Sequence, residues 1–399
     1  MTDTPEQFSA SAPALGYFYQ PRFALYYLLQ LDETAHVFIE KQDDLDFEEK
    51  GGKLTLGSMK HKQAGEKLTD LATDFWKSVR VWLASYKVLK TSKDLRFFLF
   101  TTAEANGPFS KLFLPDAVVD PNDGETLAEK AIKKMAESTS EAVTVAKQSL
   151  DELTDAEKED FFSRIKIFDS LPRVEELPAL IQSKSFRAIN SNARNAVFQR
   201  LEGWWNNEII LLLTKKRTDP IVGSELSDMI SSIADEYKTD NLPITFGGAE
   251  PENIDASGDQ RIFVAQLREI GISLERIRHA IIDYYRAFEQ RSAWARESLL
   301  VSGEIEKYEA LLTEEWQRYS AVALDELDSN ASEELLKQKG HEVYKWAQMQ
   351  CMHLKIRPRV DEAYVVRGNF QILANTNPPN VYWHPQFLNR LESILGAGQ

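Results

Sequence analysis

The sequence contains one cysteine, Cys351, in 399 residues. A single thiol excludes an intramolecular disulfide and any zinc site built from several cysteines. No apolar run approaches the roughly 18 residues that a membrane-spanning helix needs. The opening stretch, MTDTPEQFSASAPALG, has neither a basic n-region nor an apolar h-region, so no signal peptide is expected. These absences predict a cytoplasmic protein with no membrane partner. There is also no glycine-rich phosphate loop, so the chain is not expected to hydrolyse ATP itself. His61, His279, His341, His353 and His384 show no metal-ligand spacing, and no internal repeat or low-complexity tract is visible.

Excess positive charge is lacking as well. The formal net charge is −15, which runs against DNA binding through phosphate contacts. The distribution is uneven, however. From Lys60 to Arg96 there are nine Lys or Arg against four Asp or Glu. A solvated helix face is the plain reading of that segment. The acidic remainder suits a basic partner subunit.

The length allows two or three domains. Residues 1–12 are polar and small and are expected to be disordered. Tyr17 to Leu31 reads as a helix entered through Pro21, a residue suited to a first turn. His36 to Ile39 reads as a strand, Asp46 to Gly52 as a charged turn ending in Gly-Gly, and Lys53 to Lys62 as a second strand. Leu68, Leu71, Phe75, Val79, Trp82 and Tyr86 follow helical spacing. Leu95 to Thr101 reads as a buried strand, Glu125 to Glu159 as charged helix, and Arg164 to Asp169 as one more strand. Beyond Leu171 the pattern is almost wholly helical, interrupted at Leu242-Pro243, at Gly247 to Asp259 and at Asn375 to Pro379. A compact α/β unit followed by a helical region is predicted.

The first strand runs through Glu40 and ends in Asp43-Asp44; the second carries Ser58, Lys60 and Lys62. Side chains alternate along a strand, so Glu40 and Asp44 share one face and Ser58, Lys60 and Lys62 share one face of the neighbour. A hairpin would bring Asp44 beside Lys60. Such a pair suits phosphodiester hydrolysis. An acidic residue holds Mg²⁺ or Mn²⁺, hard cations that prefer oxygen, and a lysine orients water or stabilises charge on the phosphate. On spacing alone, a surface ion pair is the simpler reading. Lys77 and Arg80 lie away from Phe75 and Val79 on their helix and, with Lys62, are the candidates for phosphate contacts. Trp76 and Trp82 read as core.

The wider pattern adds weight. Gly16-Tyr17-Phe18-Tyr19-Gln20 opens the first helix. Glu40 and Asp43-Asp44-Leu45 follow, then Lys60-His61, then Leu68-Thr69-Asp70 leading into Phe75-Trp76-Lys77-Ser78-Val79-Arg80-Val81-Trp82. Over roughly residues 14–110 this resembles the nuclease domain of CBASS-type and Lamassu-type defence effectors, a branch of the PD-(D/E)xK, restriction-endonuclease-like superfamily. The resemblance implies a metal-binding aspartate at Asp44, with Asp43 as the competing choice, and a catalytic lysine at Lys60. Gln20 or Glu40 would be accessory near the metal. Ser58 stands where the family usually has Gln or Glu, a shorter and neutral ligand.

A second resemblance covers roughly residues 170–399. It rests on Ala193-Arg194, Arg200-Leu201, Trp204-Trp205, Gly223-Ser224-Glu225-Leu226, Asn241-Leu242-Pro243, the run Asp283 to Ser292 with Trp294, Gly303-Glu304 and Glu315-Trp316. These resemble the C-terminal domain of effectors in ABC-three-component systems, the group that contains Lamassu. In that group the effector joins an SMC-like ABC ATPase and a small middle subunit. Read without the family, the same residues describe a helical module with Tyr285, Phe288, Trp294 and Trp316 in its core and Arg286, Glu289 and Arg291 in helix-face ion pairs. The segment from Lys355 to His384 reads as a short strand or an irregular docking segment.

Together the resemblances imply a nuclease domain at 1–115, a helical connector with an extra strand at 116–175 and a helical assembly domain at 176–399. The expected activity is cleavage of double-stranded DNA by an effector restrained until its ATPase partner acts. The alternative is a non-catalytic adaptor or DNA-binding subunit that keeps a degenerate nuclease fold. Cutting both strands needs two active sites or two nicks, so a homo-oligomer is expected on activation.

Overall fold

The computed structural model describes residues 11–91, 94–117, 124–325, 327–328 and 330–390. The predicted disorder of residues 1–12 therefore falls almost wholly outside the described residues. The chain divides into two compact units, Met1–Ile189 with Arg194–Ile233, and Asn190–Ala193 with Ala234–Gln399. Their architecture is mixed α/β in the first and helical in the second.

The first unit opens with helix α1 (Ser11–Leu28), in which Pro21 is internal rather than in the first turn. Its carbonyl oxygen accepts the indole N–H of Trp205 at 2.7 Å. Strands β1 (His36–Ile39), β2 (Leu45–Glu49) and β3 (Lys53–Lys60) form an antiparallel meander. Helix α2 (Thr73–Leu89) then returns the chain so that β5 (Leu95–Thr101) lies parallel to β3. The short strands β4 (Lys67–Leu68) and β6 (Glu104–Ala105) pair beside this crossover. Helices α3 (Leu127–Ala136), α4 (Glu141–Asp151) and α5 (Asp155–Ser163) lead to β7 (Ile165–Phe168), parallel to β5. Helices α6 (Leu177–Ser185) and α7 (Arg194–Leu213) precede β8 (Ile221–Val222), which closes the far edge before α8 (Gly223–Glu236). The strand order is β7-β5-β3-β2-β1-β8.

β2 corrects the sequence reading, which placed a turn over Asp46 to Gly52. Leu45 and Phe47 are fully buried, but the buried carboxylate of Asp46 hides the alternation. The turn proper is Gly51-Gly52, both at positive φ, where a side chain would be strained. The second predicted strand ends at Lys60, so Lys62 lies beyond it.

β5 lies between β7 and β3 in the sheet, and all but one of its residues are buried. Period-2 geometry sends Phe97 and Leu99 to one face, where they join Phe75, Trp76, Val79 and Trp82 of α2. Phe98 and Phe100 face the other way; Phe100 meets Phe23 and Tyr27 of α1 at ring-centroid distances of 4.9 and 5.1 Å. Residues 124–168, within the expected connector, supply α3, α4, α5 and β7 to the α2-side core.

The second unit comprises α9 (Ile262–Glu269), α10 (Leu274–Arg296), α11 (Glu304–Leu324), α12 (Glu333–Met349) and α13 (Ala363–Ala374). Two buried glutamines fasten its irregular segments. Gln290 donates to the Pro243 carbonyl at 3.0 Å and accepts from Thr245 N–H at 2.9 Å. Gln266 donates to the Ala374 carbonyl at 2.8 Å and accepts from Trp383 N–H at 3.1 Å. Trp294 and Trp316 are core, as expected, but Phe288 is 50% exposed. Its ring lies flat on Tyr284, with centroids 6.1 Å apart, on the outer side of α10. Arg286 and Arg291 do not pair along their helix: Arg286 donates to the Ala249 carbonyl, and Arg291 pairs with Glu309 of α11. The segment after α13 is irregular, and Val381 and Trp383 are buried in this core.

Gly368 marks the crossing of α13 on α10. A Cβ there would sit 2.1 Å from the Asp283 carbonyl oxygen and 2.5 Å from Ala287 Cβ. Gly368→Ala should therefore destabilise this unit by roughly 1–3 kcal/mol or more through overpacking. A urea titration followed by tryptophan fluorescence reads this as a lowered midpoint; an unchanged midpoint would refute the close packing.

Candidate active site

The loop joining β1 to β2 carries three carboxylates. Glu40 takes a left-handed backbone, φ 55°, and its N–H donates to the Asp44 carbonyl at 3.1 Å, which closes the loop on itself. Asp46 holds the loop from below. Its buried carboxylate accepts the Gln42 N–H at 2.9 Å and the Asp43 N–H at 3.1 Å. Burial pushes the Asp46 carboxyl up to about 7 in spite of those two donors.

Asp43 and Asp44 diverge from this loop. Asp43 accepts the indole N–H of Trp82 at 2.5 Å. Burial, with the Asp44 charge beside it, pushes the Asp43 carboxyl up to about 6. Asp44 faces β3. Its Oδ2 accepts the Met59 N–H at 2.6 Å and lies 3.6 Å from Lys60 Nζ. Its Oδ1 accepts no hydrogen bond among the described residues. The Asp44 and Lys60 side chains are 22% and 23% exposed, so solvent reaches both. Partial desolvation and the Asp44 charge hold the Glu40 carboxyl above its ordinary range, opposed by a hydrogen bond from Gln20 of α1.

Ser58 joins the parts. Its hydroxyl accepts from Lys60 Nζ at 3.0 Å and from Ser78 of α2 at 2.8 Å, and lies 3.4 Å from Asp44 Oδ2 as a donor. A hydroxyl has one proton and two lone pairs, and the one Ser78 proton is shared between its bond to Ser58 and the Asp74 carbonyl at 3.1 Å. Ser78 and the indole of Trp82 were not anticipated as parts of the site. Both belong to the apolar face of α2, where the sequence reads only as core.

Gln20, Glu40, Asp43, Asp44, Ser58 and Lys60 are thus brought together at one end of the sheet. The three proposed phosphate contacts are not equivalent. Lys62 is ion-paired with Asp74, and with Glu66 at 3.6 Å. Lys77 and Arg80 are exposed on α2 and make no ion pair among the described residues. The only His/Cys/Asp/Glu triplet converging to within 4.8 Å among the described residues is Glu269, Glu333 and His384, in the second unit. Arg390 already occupies those carboxylates, at 2.9 Å from Glu269 and 2.7 Å from Glu333. No helix among the described residues is long and apolar enough to cross a membrane.

Comparison with known proteins bears on the second unit. Residues 263–391 match the family model described as C-terminal domain 7 of the ABC-three component (ABC-3C) systems. The match begins in α9, and it supports that family for this part of the chain. No curated protein matches the chain. Among solved structures, the chain is similar to the Cap4 SAVED/CARF-domain containing receptor of Acinetobacter baumannii, solved with the cyclic trinucleotide 2'3'3'-cAAA. The identity is 18% and the TM-score 0.32, over 55% of this chain and 45% of that one. The corresponding Moraxella osloensis receptor gives 14% and 0.34, over 66% and 61%. The chain spans about half the length of these receptors, and overlap at this level carries no argument about function.

Trp82→Phe removes the N–H given to Asp43 while keeping a ring in the core. Losing a donor to a partly buried carboxylate costs about 1–3 kcal/mol. The folded value of Asp43, about 6, lies above its ordinary 3.8. Its contribution to stability is therefore complete below about 3.8 and declines as pH rises through 6. Without the indole the folded value climbs further and the decline extends to higher pH. The variant should lose more stability at pH 8 than at pH 5 in paired urea titrations. Equal losses at both pH values would show that the bond does not serve the carboxylate.

Proposed function

We propose that the chain is a metal-dependent DNA endonuclease subunit of an ABC-three-component defence complex, with a restriction-endonuclease-like first unit and a helical second unit for assembly. The observation that carries this reading is the Asp44–Lys60 pair, partly exposed at the end of β3 and held beside Ser58. The nuclease resemblance implies a helix, a hairpin, a helix and a further strand; the chain has α1, α2 and β5 in that order, with a third strand, β2, inserted in the hairpin and β4 before α2.

The donor set fits a hard divalent cation such as Mg²⁺ or Mn²⁺. Asp44 has an uncommitted Oδ1, and Glu40 is raised first by desolvation and then by the Asp44 charge, a repulsion that a cation would relieve. Asp44 and Glu40 would hold the ion, with Gln20 orienting Glu40. When bound, such an ion polarises a phosphate and lowers the pKa of water. Lys60 places a positive charge where negative charge grows on the attacked phosphate. Ser58 and Ser78 hold that ammonium in place. Lys77 and Arg80 are the free cations that would meet the phosphates of double-stranded DNA.

A second reading, a non-catalytic adaptor or DNA-binding subunit, is favoured by two observations. The Ser58 hydroxyl is engaged by Lys60 and Ser78, and Glu40, Asp43 and Asp44 do not form a converged three-ligand set. Under either reading, partner subunits belong to the complex, and we assign them as an SMC-like ABC ATPase and a small middle subunit. The ATPase would release the restraint on cleavage, and a homo-oligomer would supply the second active site.

Lys60→Ala and Asp44→Asn should slow plasmid cleavage in Mg²⁺ or Mn²⁺ by roughly 100-fold or more, with partner assembly unchanged. The assay uses the full chain with and without its partners. Cleavage by Lys60→Ala at the parent rate would leave the adaptor as the better account. Separately, a chain lacking residues 234–399 should fail to co-purify with the ATPase and the middle subunit; retained co-purification would remove the assembly role from the second unit.

A further inference from the structure

The second unit contains a cavity of about 600 Å³ walled by α10, α12 and α13, with Glu250 at its rim. Such a volume is ordinary for a small-molecule site. Its lining is unusual for an acidic chain. Arg276, His279, Asp283 and Arg286 recur at three- and four-residue spacing and so form one stripe along α10. Arg278 stands beside that stripe and Arg367 enters from α13. Four guanidinium groups meet two carboxylates, Asp283 and Glu250, which leaves two positive charges in a chain whose net charge is −15.

Those cations are only partly committed. Arg367 donates to Asp283 at 2.7 Å, and Arg286 donates to the Ala249 carbonyl at 2.7 Å. Arg276 lies over the Tyr344 ring, 5.3 Å from its centroid. Among the described residues, neither Arg276 nor Arg278 has a carboxylate partner. Gln348 also lines the cavity, and its Nε2 is buried without a hydrogen-bond partner among the described residues. A buried unpaired donor is costly and points to an absent acceptor. Several guanidinium forks converging with an amide N–H suit a group with three or more acceptor oxygens better than a single carboxylate.

We propose that this cavity binds a small phosphorylated molecule, held by Arg276, Arg278, Arg286 and Arg367 and by the Gln348 amide. Its place within the matched ABC-three-component domain makes it a candidate input site, independent of the chemistry in the first unit.

The test is calorimetric titration of the full chain with inorganic pyrophosphate and, separately, with ATP, at low ionic strength in EDTA. One-to-one binding of at least one probe is expected, weakened roughly 10-fold or more in Arg276→Gln/Arg278→Gln. Arg278→Glu, at an exposed position, serves as a second variant should the double one melt early. Tighter binding of ATP than of pyrophosphate would identify a nucleotide site, and comparable binding a site for the phosphate group alone. Asp44→Asn should bind as the parent does. The proposal falls if neither probe binds, if binding survives both arginine variants, if Asp44→Asn abolishes it, or if an oligoglutamate peptide binds where both phosphates fail.

Discussion

The hydrogen bond from Met59 N–H to Asp44 Oδ2 is the constraint on which the candidate site depends. The last register pair between β2 and β3 is Leu45 with Gly57. Two residues further along β3, Met59 is buried and its N–H has outrun the neighbouring strand. A buried backbone donor must find an acceptor, and the carboxylate of Asp44 takes that role. One oxygen therefore extends the sheet by a bond while drawing the 40–44 loop over the end of β3. Glu40, Asp43 and Lys60 are brought to one place as a consequence. Asp44 is structural through Oδ2 and available for chemistry through Oδ1.

Much of this was legible in the sequence, although partly by the wrong route. β1, β5, β7 and α2 follow plain periodicity, and their apolar residues decide where they lie. β2 does not. Asp46 occupies a buried strand position as the acceptor for two loop N–H groups, so the segment reads as charged turn. The expected neighbour of β3 was β1; the observed neighbour is β2, and Asp44 stands at its start. Asp44 still meets Lys60 because the loop preceding β2, not the end of the first strand, delivers it. The contacts of Ser58 with Ser78 and of Asp43 with Trp82 join residues 20 and 39 apart in sequence. No local pattern records them, because each uses a polar atom on a helix face that looks purely apolar.

The second unit was legible as helix and as family, but not as a site. On α10 the stripe through Arg276, His279 and Arg286 looks like a solvated face, and Gln348 and Arg367 come from segments far along the chain. Packing buries Asp283 of that stripe and leaves Arg276, His279 and Arg286 partly or fully open to the cavity mouth. Gly368 lets α13 approach α10 closely, which brings Arg367 to Asp283. The same packing explains the misreading of Phe288: the residues of α10 that face α13 are small or polar, such as Ala287 and Asp283, while the larger ring is left outside.

The choice between an active nuclease and an adaptor turns on what Ser58 does. In the sequence, a serine at this position reads as a shorter and neutral ligand. Its hydroxyl is instead engaged by Lys60 and Ser78, so it acts on the lysine rather than on a cation. A surface ion pair has no need of that arrangement, because exposed pairs gain little and tolerate loose geometry. Anchoring the ammonium through a buried hydroxyl to a second buried hydroxyl on α2 restricts Lys60 to one place beside Asp44. Preorganised charge is what transition-state stabilisation requires, whereas an adaptor surface would function with a mobile lysine. The cost of the substitution falls on the ligand set, which must draw on Asp44 Oδ1, Glu40 and water. On the proposed nuclease reading, that division predicts a site with its lysine intact and its metal loosely held.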